Sequence, residues 1–464
     1  MDYAKVGQSE YKHAKEEKKY YFLENEEPKE GNKLPTFHQI FENMQKNGGI
    51  ISNASLYNGM LYFSSLDTYV YAVDAETGKL TWKFKTGGPV TFCAPLIHNE
   101  KIYFGSNDEY FYCLDLAGSI IWKKHLGDVI ASTALGIGDC IFVSNGSGYL
   151  FCFTEGGIEK WRFKMGEGST VAPSAVNGKI FVGSFDKHVY ALDIEGKLLW
   201  KFLAGERIGP PLIMDNGRKI VSNTDISFYK MPEAIAPILL CPSYDNYLYA
   251  LDENGNFLWK YNCGSSISNG GLGCGNGSIY AGCVNGYLHA IDLSGRKKWT
   301  FRSNGMIGRG AEFVDGKIYF ASCDQKIYCL TEEGNKIWEF LTGGSNISKP
   351  LIIDEKIFFG STDSFFYCLN AKNRTVEWKY KVGSGSESSS DVSQIVNAFV
   401  EHDKKIFKVW VPETLKGKTQ AGGFLTGYGM PEGFSFGGEE VYKPSSGAYK
   451  NDLNYFEKKK PYKK

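Results

Sequence analysis

The chain of 464 residues has no adjacent cysteine pair, no Cys-x-x-Cys, and only 7 histidines, none at paired ligand spacing. No metal site is therefore expected. Neither a Gly-x-Ser-x-Gly elbow nor a phosphate-cradling loop ending in Lys-Ser/Thr occurs, which removes two common catalytic and nucleotide-binding signatures. No apolar run approaches ~18 residues, so no membrane-spanning helix is expected. Net charge is absent too: Lys+Arg and Asp+Glu number 52 each, leaving no global field to recruit nucleic acid or an acidic membrane. The opening stretch, MDYAKVGQSEYKHAKEEKKYYF, carries no apolar core of the kind that directs export, and a cytoplasmic address is expected. The 11 cysteines are an odd number. In that compartment they read as reduced core residues, with Cys113, Cys329 and Cys368 in a slot that is Ala in other copies of a repeat.

That repeat is marked by tryptophan. Trp82, Trp122, Trp161, Trp200, Trp259, Trp299, Trp338 and Trp378 are separated by 40, 39, 39, 59, 40, 39 and 40 residues. Such a period means one supersecondary unit stacked on copies of itself. Each tryptophan follows the same phrase, YAVDAETGKLTW in the first copy and YALDENGNFLW in the fifth. A glycine lies four residues before it in seven copies, and only Arg374 breaks the pattern. Alternating runs such as KIYFGS and YFYCLD read as half-buried strands, and the glycine suits a turn that needs positive φ. Four antiparallel strands per ~40 residues is one propeller blade. The tryptophan on the outermost strand is expected to be buried in the wedge between diverging blades. Small inner segments (ISNAS, IASTA, STVAP) suit strands converging on an axis. The recurring Asp74, Asp115, Asp193, Asp252 and Asp292 are expected to cap their own turns, as Thr154, Thr331 and Asn370 can in the other copies.

The phrase A-x-D-x-x-x-G-x-x-x-W, best preserved from Ala72 to Trp82, resembles the pyrroloquinoline-quinone-type (PQQ-like) propeller repeat over residues 51–381. The family includes quinoprotein dehydrogenases, a periplasmic outer-membrane assembly lipoprotein and many non-enzymatic propellers. The dehydrogenases hold a quinone on the axis with calcium, a vicinal-cysteine disulfide and a catalytic Asp. This chain lacks the cysteine pair and is much shorter, so the resemblance points to the non-enzymatic branch, with no cofactor and no catalytic residue.

The expected architecture is all-β: an eight-bladed β-propeller of four-stranded antiparallel blades, with an N-terminal helical arm and a C-terminal extended tail. Residues 1–50 form the arm, 51–385 the propeller, and 386–464 a partial extra repeat and a tail. In the arm, Phe37, Ile40, Phe41 and Met44 share one face of a short helix. An insertion of about half a repeat is placed around residues 222–237. Residues 394–411 echo half a repeat and either close the ring or form an appended hairpin. The Gly- and aromatic-rich tail carries Phe424, Tyr428, Phe434, Phe436 and Tyr442, the composition of a segment that folds on binding.

Two candidate sites follow. Arm and tail are expected to bind a protein partner or another copy of the chain, which makes the molecule a scaffolding subunit. The axial mouth is the second. Its ring is mostly small or neutral (Ser52, Cys93, Ser132, Val171, Gly270, Ser348), against which Arg207, Asn269, Arg309 and Lys349 stand out as groups that would attract an anion. A small-ligand or saccharide sensor using that mouth is the alternative function, and a quinone-dependent oxidoreductase the third.

Overall fold

Strand-forming runs and glycine turns recur in register eight times, and the chain folds accordingly into eight successive sheets. The structure is a computed structural model that describes residues 48–215, 218–219 and 237–383, with the side chains of 215, 218, 219, 268 and 269 excepted. Blade 1 comprises Ser55–Tyr57, Met60–Ser64, Tyr69–Asp74 and Leu80–Lys85, paired antiparallel in that order from the axis outward. Seven further blades repeat this plan, ending with Val376–Lys381 as the outermost strand of blade 8. No helix occurs among the described residues. The amphipathic arm (Phe37, Ile40, Phe41, Met44) and the tail aromatics (Phe424, Tyr428, Phe434, Phe436, Tyr442) lie outside them.

Stacking explains the burial pattern. The second and third strands of a blade are buried on both faces rather than one, as in Tyr110–Asp115, because a neighbouring sheet covers each side. Only the outermost strands alternate, as in Leu80–Lys85. Eight apolar clusters result, each drawn from two adjacent blades. The eighth joins Phe358, Phe366 and Cys368 of blade 8 to Leu61, Phe63 and Tyr71 of blade 1. There Phe63 and Phe366 stack with centroids 4.1 Å apart. Ile50 N–H also donates to the Ser361 carbonyl at 3.1 Å. The ring is thus complete without residues 394–411.

The long gap between Trp200 and Trp259 falls within a blade. It interrupts blade 5 between its first strand, Leu212–Asp215, and its second, Ile238–Pro242. A short strand, Arg218–Lys219, adds to the inner edge and makes that sheet five-stranded.

Seven of the eight tryptophans, all but Trp338, make the same joint between blades. The indole N–H of Trp82 donates to the Leu116 carbonyl of blade 2 at 2.9 Å, and that of Trp299 to Glu332 of blade 7 at 2.8 Å. Trp378 reaches Ala75 of blade 1 at 3.2 Å, so the same joint closes the ring. The glycine of the next copy lies flat on the indole face. A Cβ built there would fall 2.6 Å from Trp82 at Gly118 and 2.5 Å from Trp299 at Gly334. Positive φ and this close approach together require glycine. The indoles are half-buried rather than buried, because the wedge opens outward. Trp338 alone is buried, and opposite it stands Arg374 at φ +66. The turn-capping carboxylates behave as expected: Asp193 accepts N–H bonds from Glu195 and Lys197 at 3.1 and 2.8 Å. The hydroxyl of Thr154 serves the same purpose for Ile158 at 3.1 Å.

A second, regular tie was not foreseen. Asp108 accepts a hydrogen bond from the Tyr112 hydroxyl of its own blade (2.5 Å) and from Gly87 N–H at the end of blade 1 (2.7 Å). The arrangement recurs at Asp67–Tyr71, Asp186–Tyr190, Asp245–Tyr249, Asp324–Tyr328 and Asp363–Tyr367. Two seams lack it. Blade 3 has Ser147 and Phe151 at these positions, and blade 6 has Asn285 and His289.

Gly334→Ala and Gly316→Ala separate the two demands on glycine. Both sites have positive φ, but nothing lies within 4 Å of a Cβ at Gly316. Gly316→Ala should cost about 1 kcal/mol from the backbone alone. Gly334→Ala should cost about 1–3 kcal/mol more, from the indole clash, in denaturant unfolding. Trp299→Ala should cost roughly 3 kcal/mol, the low end for aromatic truncation because the ring is partly exposed.

The carboxylate ties differ in their pH dependence. Burial, opposed by the hydrogen bonds, raises the Asp67 pKa above its usual 3.8, whereas at Asp186 the bonds from Tyr190 and His188 outweigh burial and lower it. Asp186 thus adds stability above the unfolded pKa that disappears on acidification through the folded one. Asp67 does the reverse: its ionisation opposes folding as pH rises. At pH 7, Asp67→Asn should therefore be less destabilising than Asp186→Asn in urea unfolding. The gap should narrow as pH approaches 4.

Candidate functional site

Turns joining second to third strands, and loops passing from one blade to the next, gather on one face of the ring. The innermost residues of those loops meet at the axis. Arg309, in the loop entering blade 7, extends to the far side and donates from Nη2 to the Phe92 carbonyl of blade 2 at 2.9 Å. Its guanidinium also lies over the Phe92 ring, 5.3 Å from the centroid. Phe92 holds φ +54, a left-handed conformation that aims its carbonyl at the arginine. Arg309 is only 9% exposed, and its Nε has no hydrogen-bond partner. Burial lowers its pKa to about 10, with Tyr244 and Cys93 opposing the shift, so it stays charged at neutral pH.

Arg207, entering blade 5, stacks on Tyr244 at 4.5 Å and lies 5.9 Å from Phe185. The field of both arginines reaches the Tyr244 hydroxyl, whose pKa burial nevertheless raises. The first two predicted cations therefore share one aromatic neighbour. Lys349 is placed differently. Its ammonium pairs with Glu312 of blade 7, and its backbone N–H donates to Asn53 Oδ1 of blade 1 at 2.8 Å. The side chain of Asn269 lies outside the described atoms. Among the small ring residues, Ser52 and Ser348 turn inward to the backbone, donating to the carbonyls of Ser64 and Gly360 at 2.8 and 3.0 Å.

A second polar cluster lies at the seam between blades 5 and 6. Cys263, Cys283 and His289 are all buried and place their two sulfurs and an imidazole nitrogen within 4.8 Å of one another. Spacing along the chain could not suggest this set, because its members come from three separate strand ends. Aligning the eight copies could have. Cys283 stands where six copies have Ser and one Asn, and His289 where six have Tyr and one Phe. None of the eleven cysteines is in a disulfide, and all but Cys323 are buried.

A sequence profile described as outer membrane protein assembly factor BamB matches residues 26–135, 107–271 and 284–410, most of the chain. The chain belongs to this BamB-like PQQ propeller family. BamB from Moraxella catarrhalis shares 18% identity and a TM-score of 0.54, covering 67% of this chain and 93% of that one. Quinohemoprotein alcohol dehydrogenase from Comamonas testosteroni shares 14% identity at a TM-score of 0.58, covering 74% of this chain and 76% of its own. The computationally designed Ika8 protein shares 13% identity at a TM-score of 0.57, covering 72% of this chain and 97% of that one. At such identities these structures establish the fold alone. No curated protein sequence matches the chain.

The dehydrogenase fold raises the question of a quinone and calcium. The described axial groups do not fit them. Calcium needs several oxygen ligands, carboxylates above all. Here Glu312 is committed to Lys349, and the centre is crossed by a buried cation bonded to Phe92. No step through a quinone is derived for this chain.

Arg309→Met tests what holds the axis. Removing one partner of a desolvated charge is destabilising only where the other partner is left stranded. Here the other partner is a single carbonyl, so stability should stay within about 1 kcal/mol of wild type. A loss above about 3 kcal/mol in thermal unfolding would show that the arginine spans the ring as a structural strut.

Proposed function

We propose that this BamB-like propeller is a non-enzymatic scaffolding subunit that binds a protein partner in a reducing, cytoplasmic setting. One observation carries the reading: an apolar surface on the outer wall of blades 4 and 5. Leu198, Leu199 and Leu203 on one outermost strand, and Phe257 and Leu258 on the next, are 39–62% exposed. Phe202 and Phe257 stack across the seam at 6.5 Å, and Leu199 and Leu203, which alternate with Phe202 along their strand, extend the apolar surface on the other side of that sheet. Exposed apolar side chains grouped on outer strands mark interaction sites. Outermost strands also present unpaired edges, which a partner can cover. Cysteines that form no disulfide and are mostly buried support the reducing setting. The similarity to an assembly factor supports protein binding as the family's manner of working.

Arm and tail extend this reading. The described chain enters at Gly48 and ends at Gly383, and a Cβ on Gly48 would fall 3.1 Å from Gly383 N. The first and last described residues therefore meet at one seam of the ring, and we place the joint action of arm and tail on a partner there.

A second reading rests on Arg309. An axial cation with a buried, unpartnered Nε suits an anionic small ligand, and an anion that stabilises the wild type but not Arg309→Met would favour a sensor.

Leu199→Lys combined with Phe257→Lys should leave the melting temperature within a few degrees of wild type, because both sites are exposed. It should abolish co-elution with the partner, or self-association, in size-exclusion chromatography with light scattering. Deletion of 415–464 should also weaken association with little effect on melting. If that deletion instead melts the propeller and leaves association intact, the tail is structural and its part of the proposal fails.

A further inference from the structure

Six seams of the ring are stapled by an aspartate that accepts a tyrosine hydroxyl and a backbone N–H from the preceding blade. At the seam between blades 5 and 6 the staple is gone. The N–H of Gly264, which elsewhere would cross the seam, is taken by Asn262 of its own blade at 2.7 Å. Asn285 replaces the aspartate and His289 the tyrosine. A further change falls at the same place: Cys283 replaces the serine two residues before the aspartate position. Cys263 stands beside it at the end of the preceding blade, a position that differs from copy to copy. Three departures from the repeat thus fall at this seam, and two of them, Cys283 and His289, are buried.

The other seam without a staple, between blades 2 and 3, shows what simple loss looks like. There the tyrosine becomes Phe151, which packs in an apolar cluster with Phe111 and Phe153. Blade 6 instead keeps a polar, basic ring. His289 is 7% exposed, its Nε2 has no hydrogen-bond partner, its Nδ1 meets the Tyr261 hydroxyl at 3.1 Å, and the ring also feels the backbone of Cys263. A buried polar group left unpaired costs stability and calls for a partner. Two buried sulfurs beside it supply the donor set of a thiophilic ion.

We propose that Cys263, Cys283 and His289 hold a zinc ion that ties blade 5 to blade 6. Two thiolates and a neutral imidazole balance the charge of Zn(II), which a buried site requires. The ligand atoms lie within 4.8 Å of one another. In a tetrahedral site with Zn–S of about 2.3 Å and Zn–N of about 2.0 Å they would lie about 3.5–3.8 Å apart, so a small inward movement closes the shell. Tyr261 stands beside Nδ1, where its hydroxyl orients the imidazole and leaves Nε2 for the metal. Binding releases the thiol protons and converts an incomplete seam into a cross-linked one.

The full chain, stripped with a chelator under reducing conditions and equilibrated with zinc sulfate, should bind one zinc per chain by mass spectrometry of the metal. Cobalt should give a thiolate-to-metal absorption band. Cys283→Ser and His289→Tyr restore the residues of other copies, so both should fold, and both should lower zinc affinity at least 100-fold. Cys323→Ser, outside the cluster, should bind like wild type. Zinc should raise the melting temperature of wild type and not of Cys283→Ser. Zinc bound no more tightly by wild type than by Cys283→Ser would overturn the proposal. So would preference for Cu(I) over zinc, or a Cys263–Cys283 disulfide found by alkylation and mass measurement of the native chain.

Discussion

The contact on which the rest of the ring depends is an indole lying flat on a glycine of the next blade. Blades diverge from an axis, so the gap between neighbouring sheets widens with radius, and something flat and large must fill it at the rim. Tryptophan does this with one face against a Cα that has no Cβ, while its N–H takes the carbonyl two residues earlier, as Trp259 does at Leu293 beside Gly295. One residue thereby fixes spacing, angle and register at once. Because Trp378 makes the same joint to Ala75 and Gly78, the first and last blades need no special device to meet.

A second tie works at smaller radius. The aspartate–tyrosine–amide staple fixes the loop face, as the indole fixes the rim, and the apolar clusters fill what lies between. With both ties at most seams, each blade is held at two radii and cannot hinge about either. That rigidity suits a molecule whose axial loops carry buried charge. Arg309 can remain desolvated against Phe92 because the two blades that present them are held at a fixed separation.

The fold was legible because repetition turns weak local signals into a strong one. Eight tryptophans at one period specify blade number and strand order, and the turn-capping role of Asp193 or Asp252 follows from local chemistry. Other features depend on what lies across a seam. The glycine before each tryptophan reads from sequence as a turn residue, and only the structure shows that it serves the preceding blade's indole. The staple was missed although Asp108 and Tyr112 are four residues apart, because its third member, Gly87, belongs to another copy. The insertion after Trp200 was measured correctly in length, but its place within blade 5 depends on which strand pairs with which. At the axis, Arg207 stacks on Tyr244 while Arg309 reaches Phe92, contacts that no single copy of the repeat records. The pairing of Lys349 with Glu312 depends on the offset between blades 7 and 8, which no single copy records.

In a repeat protein the demands of folding are the same in every copy, so folding alone gives no reason for one copy to differ. Departures then sort by what replaces the common residue. Where Phe151 stands for tyrosine, the replacement is apolar and the seam remains packed, so drift is a sufficient account. Where Arg309 crosses an otherwise small and neutral axial ring, or Cys283 and His289 replace serine and tyrosine at one buried point, the new residues are costlier to bury than those they displace. Drift under a stability requirement does not accumulate such residues together at one seam. The functional content of this chain is therefore to be sought where the repeat is broken at a cost: the axial loops and the seam between blades 5 and 6.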